Sequence, residues 1–349
     1  MHMPTHIDVL IGDYDACVRW NDAALIADMK TMERSPETSC VSSFYFGYIC
    51  HNFHMLIYGG ILGAMEEKSM STARELNSYI DEALFVDRPE LAVYLESYGT
   101  MDIHILVRFG RWKQILALEL PKNPRLMLYR AACVHYAKAI AYANLKDIDA
   151  AKEAASEYEE LRALPDGKKR LLHNNSVADL LDIDSLMIQG EIAYFEGLPE
   201  KAFEKLRYAI QLQDNLNYDE PWGKMQPIRH ALGGFLLKEG LVEEAEQVYR
   251  EDLRRLPKNP WSLKGLMECL RHRTKYYSDC VTTIDERASS TCCSARNPSP
   301  SNSIDKLSIS ETNALKEELQ NIELQFIEQR KSPWADYNVT HSCACCIEA

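Results

Sequence analysis

Leu241, Ala245, Val248, Tyr249, Leu253 and Leu256 recur at helical spacing, so one face of the stretch 240–257 is apolar and the other charged. Ala245 is small enough to let a neighbouring helix approach closely. Tyr249 follows one turn later, and Pro257 stops the run. The same alternation recurs along the chain. Gly12 turns into a helix carrying small Cys17 and Ala24, after a very short partner over 6–11. A long apolar helix is predicted over 44–62, a polar one over 71–84 stopped by Asp87-Arg88-Pro89, and another over 91–109. Gly110-Arg111-Trp112 turns into a short helix that Pro121 and Pro124 end. Later pairs run 126–145 with 149–164, 177–195 with 201–216, and 223–238 with 241–256.

A small residue, an aromatic four positions on, and a later proline form the pattern of a tetratricopeptide repeat, in which two antiparallel helices make one stacking unit. The expected fold is therefore all-α, a right-handed superhelical solenoid of about seven antiparallel hairpins. The turn glycines Gly110, Gly197 and Gly240 are spaced more widely than the minimal period of about 34, so helices and loops are longer than consensus. Repeats are expected over 1–274. A Ser/Thr-rich insertion over 275–308, with Asn297-Pro298-Ser299-Pro300, reads as disordered because it holds too little apolar surface to offset its ordering entropy. A final helix within 309–335, with Leu315, Leu319, Ile322, Phe326 and Ile327 inward, completes the split hairpin. The remainder, 336–349, is a cysteine-containing tail that reads as flexible. Apolar Ile7, Val9, Leu10 and Ile11 occupy the first unit, where a solenoid normally has a polar cap. The expectation is that a missing N-terminal repeat region, or something else, covers that end.

Composition narrows the function classes. The chain has 349 residues, 46% hydrophobic, and carries a net charge of −13. That charge argues against nucleic acid and against anionic membrane surfaces as partners. Eleven cysteines show no disulfide-framework spacing, and Cys17, Cys50, Cys133 and Cys269 fall within apolar helical patterns. This usage points to a reducing compartment, and the cytoplasm is the expected location. No secretory signal and no spanning helix is apparent.

Longer stretches resemble the C-terminal part of a family of tetratricopeptide repeat proteins, common in bacteria and of unassigned biochemical function. They include His2-Met3-Pro4-Thr5-His6-Ile7, Tyr48-Ile49-Cys50-His51-Asn52-Phe53-His54, Leu106-Val107-Arg108-Phe109-Gly110-Arg111-Trp112, His135-Tyr136-Ala137, Gly190-Glu191-Ile192-Ala193, Tyr218-Asp219-Glu220-Pro221-Trp222, Arg229-His230-Ala231-Leu232-Gly233 and Trp334-Ala335-Asp336. The resemblance implies the fold and carries over no catalytic residues.

Four constellations bear chemistry. His2 and His6 stand four apart, His51 and His54 three apart, and His135 and His230 lie on later first helices. First helices line the concave surface of such a solenoid, so these rings are candidates to converge on a metal; the alternative is that they hydrogen-bond between repeats. Tyr218 and Trp222 with Arg229 suit a carboxylate clamp with an aromatic wall, or else an internal Asp219–Arg229 pair. Glu191, on an otherwise apolar helix, is either a raised-pKa acid or a paired carboxylate. Cys343, Cys345 and Cys346 could bind soft metal or oxidise.

These features favour a non-catalytic scaffold that grips a protein or peptide in its concave groove through Tyr48, Asn52, Arg108, Glu191, Tyr218, Trp222 and Arg229, with no cofactor. The competing expectation is an enzyme, or a small-ligand or metal protein, with a histidine-lined interior site.

Overall fold

The computed structural model describes residues 1–35, 37, 43–288 and 309–346, and the side chains of 276–288 and 309 lie outside that description. About 75% of the protein is helical. The helices are α1 (Pro4–Ile11), α2 (Tyr14–Arg34), α3 (Phe44–Leu62), α4 (Glu66–Tyr79), α5 (Glu82–Asp87), α6 (Ala92–Leu95), α7 (Met101–Arg108), α8 (Trp112–Leu116), α9 (Leu128–Asn144), α10 (Ile148–Arg162), α11 (Val177–Phe195), α12 (Pro199–Asp214), α13 (Ile228–Lys238), α14 (Val242–Arg255), α15 (Pro260–Ala288) and α16 (Ile309–Gln329). Among the described residues the only strands are β1 (Leu171–Leu172) and β2 (Asn175–Ser176), an antiparallel pair. No described helix is long and apolar enough to cross a membrane.

Helices neighbouring in sequence pack as neighbours in space, and α9 with α11 and α13 with α15 also touch. The small positions do what their spacing predicts. Ala245 is fully buried, and the Tyr249 ring lies between Gly233 of α13 and Gly265 of α15, where a Cβ on either glycine would fall inside the ring's contact distance. Gly265→Ala should therefore destabilise by about 1–3 kcal/mol through overpacking, read as a lowered midpoint in thermal unfolding. Gly47→Ala is the control. It meets open space within α3 and should be neutral or stabilising by up to about 1 kcal/mol.

Boundaries differ where polar groups intervene. The helix predicted over 71–84 breaks at Ile80, because Asp81 caps a new helix by accepting from the Leu84 N–H. The helix predicted from 223 starts at Ile228, after Pro221 and Pro227 have kept 217–227 as a loop. The backbone of α15 continues as helix through 275–288, the start of the expected insertion; 289–308 lies outside the described residues.

The first hairpin is held by the distant half of the chain. Gly12 has a φ of +76°, and a side chain there would collide with the Pro257 carbonyl. Tyr14 donates to that carbonyl oxygen at 2.9 Å, and Trp261 Nε1 donates to the Ile61 carbonyl at 2.9 Å. Asp336 caps the start of α4 through the Glu66 and Glu67 N–H groups. Of the apolar residues at that end Val9 is buried, while Ile7 and Ile11 remain exposed.

The tail is docked, contrary to the expectation of flexibility. Ala344, Cys345 and Cys346 are buried against α13, where Gly234 leaves room for the Cys346 sulfur. Ser342 meets Tyr249 Oη at 2.6 Å. Cys343 and Cys345 form a disulfide, while Cys17, Cys50, Cys133, Cys269 and Cys346 are free and buried.

A candidate metal centre

Helical spacing places four of the predicted histidines together. His2, just before α1, and His6 within it meet edge to face, and His51 and His54 lie one turn apart on α3, which is joined to α1 through α2. His2 Nε2 and His6 Nε2 are 2.9 Å apart, and His6 Nε2 and His51 Nε2 are 3.5 Å apart. Around tetrahedral zinc, with Zn–N about 2.0–2.1 Å, two ligand nitrogens stand about 3.3 Å apart. The triad spans that separation.

The outer partners of these rings fix their tautomers. Asn21 Nδ2 donates to Thr5 Oγ1 and to the Cys17 carbonyl, so its Oδ1 is the atom that faces His2 Nδ1 at 2.7 Å. His2 Nδ1 must then carry the proton. His6 Nδ1 lies 2.7 Å from the Glu220 carboxylate, an ion-pair distance though off the axis of an ideal hydrogen bond, and it too is the protonated nitrogen. Both Nε2 atoms are left as bare lone pairs pointing at each other. That arrangement is repulsive unless a cation lies between them. That cation is either a metal ion or a proton shared between the two Nε2 atoms; burial holds the His2 imidazole below its ordinary value, and burial, reinforced by His173, His2 and His6, pushes His51 down to about 3.

Two interlocked loops complete the site, and they supply what sequence reasoning missed. His173 occupies the turn between β1 and β2 with a φ of +51°, a conformation uncommon for a residue with a side chain. The turn is pinned by its neighbours. Asn174 and Asn175 bond to the carbonyls of Tyr218 and Asn217, and Asp219 accepts from the Asn174 N–H. The loop 217–225, whose Glu220–Pro221 bond is cis, thereby delivers Glu220 behind His6 and Asp219 behind His173. The only sequence signal for His173 is a polar turn, His173-Asn174-Asn175, between two short extended pairs.

A pocket of about 580 Å³ opens over His51 and His173, with Ser43, Phe44, Gly47, Tyr48, Tyr94 and Tyr98 around it. Among the described residues no Lys, Arg, Asp or Glu lines it. Its size falls within the range of small-molecule sites.

The other candidates lie elsewhere. His135 faces Glu157, and His230 is drawn to Asp252 at 2.8 Å, so neither joins the cluster. The Asp219–Arg229 pair does not form: Arg229 takes the Asp214 carboxylate in bidentate fashion, and Asp219 serves His173. Asn52 donates to Asp28, Glu191 accepts from Asn144, and the Arg108 guanidinium lies over the Trp261 ring at 3.5 Å and contacts His230. Of the predicted groove residues, Tyr48 lines the histidine pocket, exposed Tyr218 donates to Glu220, and Trp222 borders a separate cavity of about 40 Å³.

Comparison with protein-family models, with curated proteins and with solved structures finds no match.

Proposed function

We propose that this is a transition-metal protein in which His2, His6 and His51 hold one ion, and in which the pocket above His51 admits a small, uncharged molecule with an aromatic or apolar body. The observation that carries the reading is the 2.9 Å approach of the His2 and His6 Nε2 atoms, with Asn21 Oδ1 and the Glu220 carboxylate facing the outer nitrogens of the two rings. Three neutral imidazoles suit zinc, copper, iron or nickel. Three protein ligands leave a position for water or substrate. Asn21 and Glu220 orient the rings from behind, as the outer partners of metal-bound histidines do.

We infer that the framework is a tetratricopeptide-like stack, supported by the packing of successive hairpins, the contacts of alternate helices and the glycine-flanked Tyr249. The scaffold reading is the weaker one, because Asn52, Arg108, Glu191 and Arg229 are all buried and each bonds a partner within the chain, although Arg108 and Glu191 keep unpaired atoms.

The test is metal content and affinity. Protein stripped with a chelator and reloaded with Zn²⁺ should bind it tightly and melt at a higher temperature, since an ion that binds only the folded state stabilises it by mass action. His6→Ala should abolish tight binding of that ion, and Glu220→Gln should weaken it by about 10–100-fold. A wild type that takes up no metal and gains no thermal stability overturns the proposal.

A further inference from the structure

Beside the first triad lies a second close set of histidine nitrogens. His54 Nε2 sits 3.0 Å from Met225 Sδ, a weak acceptor with no proton to give, so Nε2 carries the His54 proton and Nδ1 is bare. His173 Nδ1 faces the Asp219 carboxylate at 3.4 Å, so its Nε2 is bare as well. These two inner nitrogens are 3.2 Å apart. The Tyr98 hydroxyl reaches His173 Nε2 at 2.8 Å and satisfies its one lone pair, a hydrogen bond that an ion would displace; the His54 lone pair is left without a donor. His54 is buried, with 1% of its surface exposed. His51 is common to both groups, its ligand nitrogen lying within 4.8 Å of those of His54 and His173. Its Nε2 faces His6, and its Nδ1 is buried without a hydrogen-bond partner; the proposal assigns that second nitrogen to the second group.

We propose that the protein holds two metal ions, the second on His54, His173 and His51, with the His51 ring bridging the pair. The inference rests on the metal reading above. Two ions on one imidazole require both its nitrogens, so the His51 ring proton is released to solvent and the ring bridges as imidazolate. The Tyr98 oxygen lies beside the second ion and at the mouth of the pocket. This makes the pocket's floor a bimetallic one, with His173 at its edge on the pinned β1–β2 turn.

The probe is Cu²⁺, titrated into chelator-stripped full-length protein, with copper counted after desalting and the product read by electron paramagnetic resonance. Two Cu²⁺ per chain are expected, with a signal well below that of two independent ions because a shared imidazolate couples them. His173→Gln should bind one Cu²⁺ with an ordinary mononuclear signal, and His6→Ala should likewise bind one. Circular dichroism checks folding. Should His173→Gln fail to fold, Asp219→Asn, which keeps the ring and removes the carboxylate behind it, should weaken only the second ion. One Cu²⁺ in the wild type, lost in His6→Ala and retained in His173→Gln, overturns the second site and leaves the first standing. No copper at all overturns both. Two ions with a full, uncoupled signal overturn the shared His51.

Discussion

Lys224→Met destabilises the protein by about 3–5 kcal/mol, the loss expected when one partner of a buried ion pair is removed. Lys224 is 2% exposed and donates to Asp184 Oδ1; Asp184 is fully enclosed. The ammonium also lies 4.9 Å from the centre of the Tyr136 ring. Without it, a buried carboxylate has no counter-charge, and its Oδ2 already lacks a partner. Urea unfolding at neutral pH measures the loss. Asp184→Leu combined with Lys224→Met should recover most of it, since two apolar residues carry no desolvation penalty. The consequence reaches the proposed metal centre. Lys224 directly precedes Met225, the His54 partner, and its loop carries Asp219 and Glu220. The single variant should therefore also weaken metal binding. A loss below about 1 kcal/mol would show that the pair is not what anchors this loop.

Helical periodicity made the framework legible, because small and aromatic residues at fixed offsets are set by how closely two helices cross. Ala245 and Tyr249 lie where that spacing puts them. The same periodicity exposed half of the centre: residues three or four apart share a helix face, so His2 with His6 and His51 with His54 could be paired by counting. What counting cannot supply is the approach of distant loops. His173 has no periodic context, and its place depends on asparagine side chains gripping a loop some 40 residues away. His230 was a candidate by position, but burial beside Asp252 holds it elsewhere, since a buried carboxylate needs a nearby donor more than a groove needs a ring. The tail read as flexible because its sequence is short, polar and cysteine-rich. Its binding place is a missing side chain, Gly234, more than a hundred residues earlier. Of the two fates open to the tail cysteines, soft-metal binding or oxidation, Cys343 and Cys345 take the second.

Glu191→Gln stabilises the protein, and the gain grows with pH. Glu191 is 1% exposed among Met187, Ile188, Ile192 and Ala193; Asn144 of α9 donates to Oε2 at 2.7 Å, and Oε1 has no partner. The charged groups facing it are few: Lys238 of α13, and from the tail the Cys346 thiol with the Cys343–Cys345 disulfide alongside. Burial pushes its carboxyl from the ordinary 4.5 up to about 8, against the opposing pull of Asn144 and Lys238. Because the folded state holds the proton more tightly than the unfolded chain, stability is complete below about pH 4.5. It declines as the pH rises and is fully lost above about 8, a total on the order of 4 kcal/mol. Glutamine keeps the shape and has no proton to lose. Denaturant unfolding of the two proteins should agree within about 1 kcal/mol at pH 5 and diverge by several kcal/mol at pH 9. Buried imidazoles such as His54 and His104, held neutral by burial, cost stability as the pH falls, and they cancel because both proteins carry them. Parallel curves for the two proteins would mean that the Glu191 carboxylate is compensated, and the acid that the sequence singled out would then be an ordinary paired one.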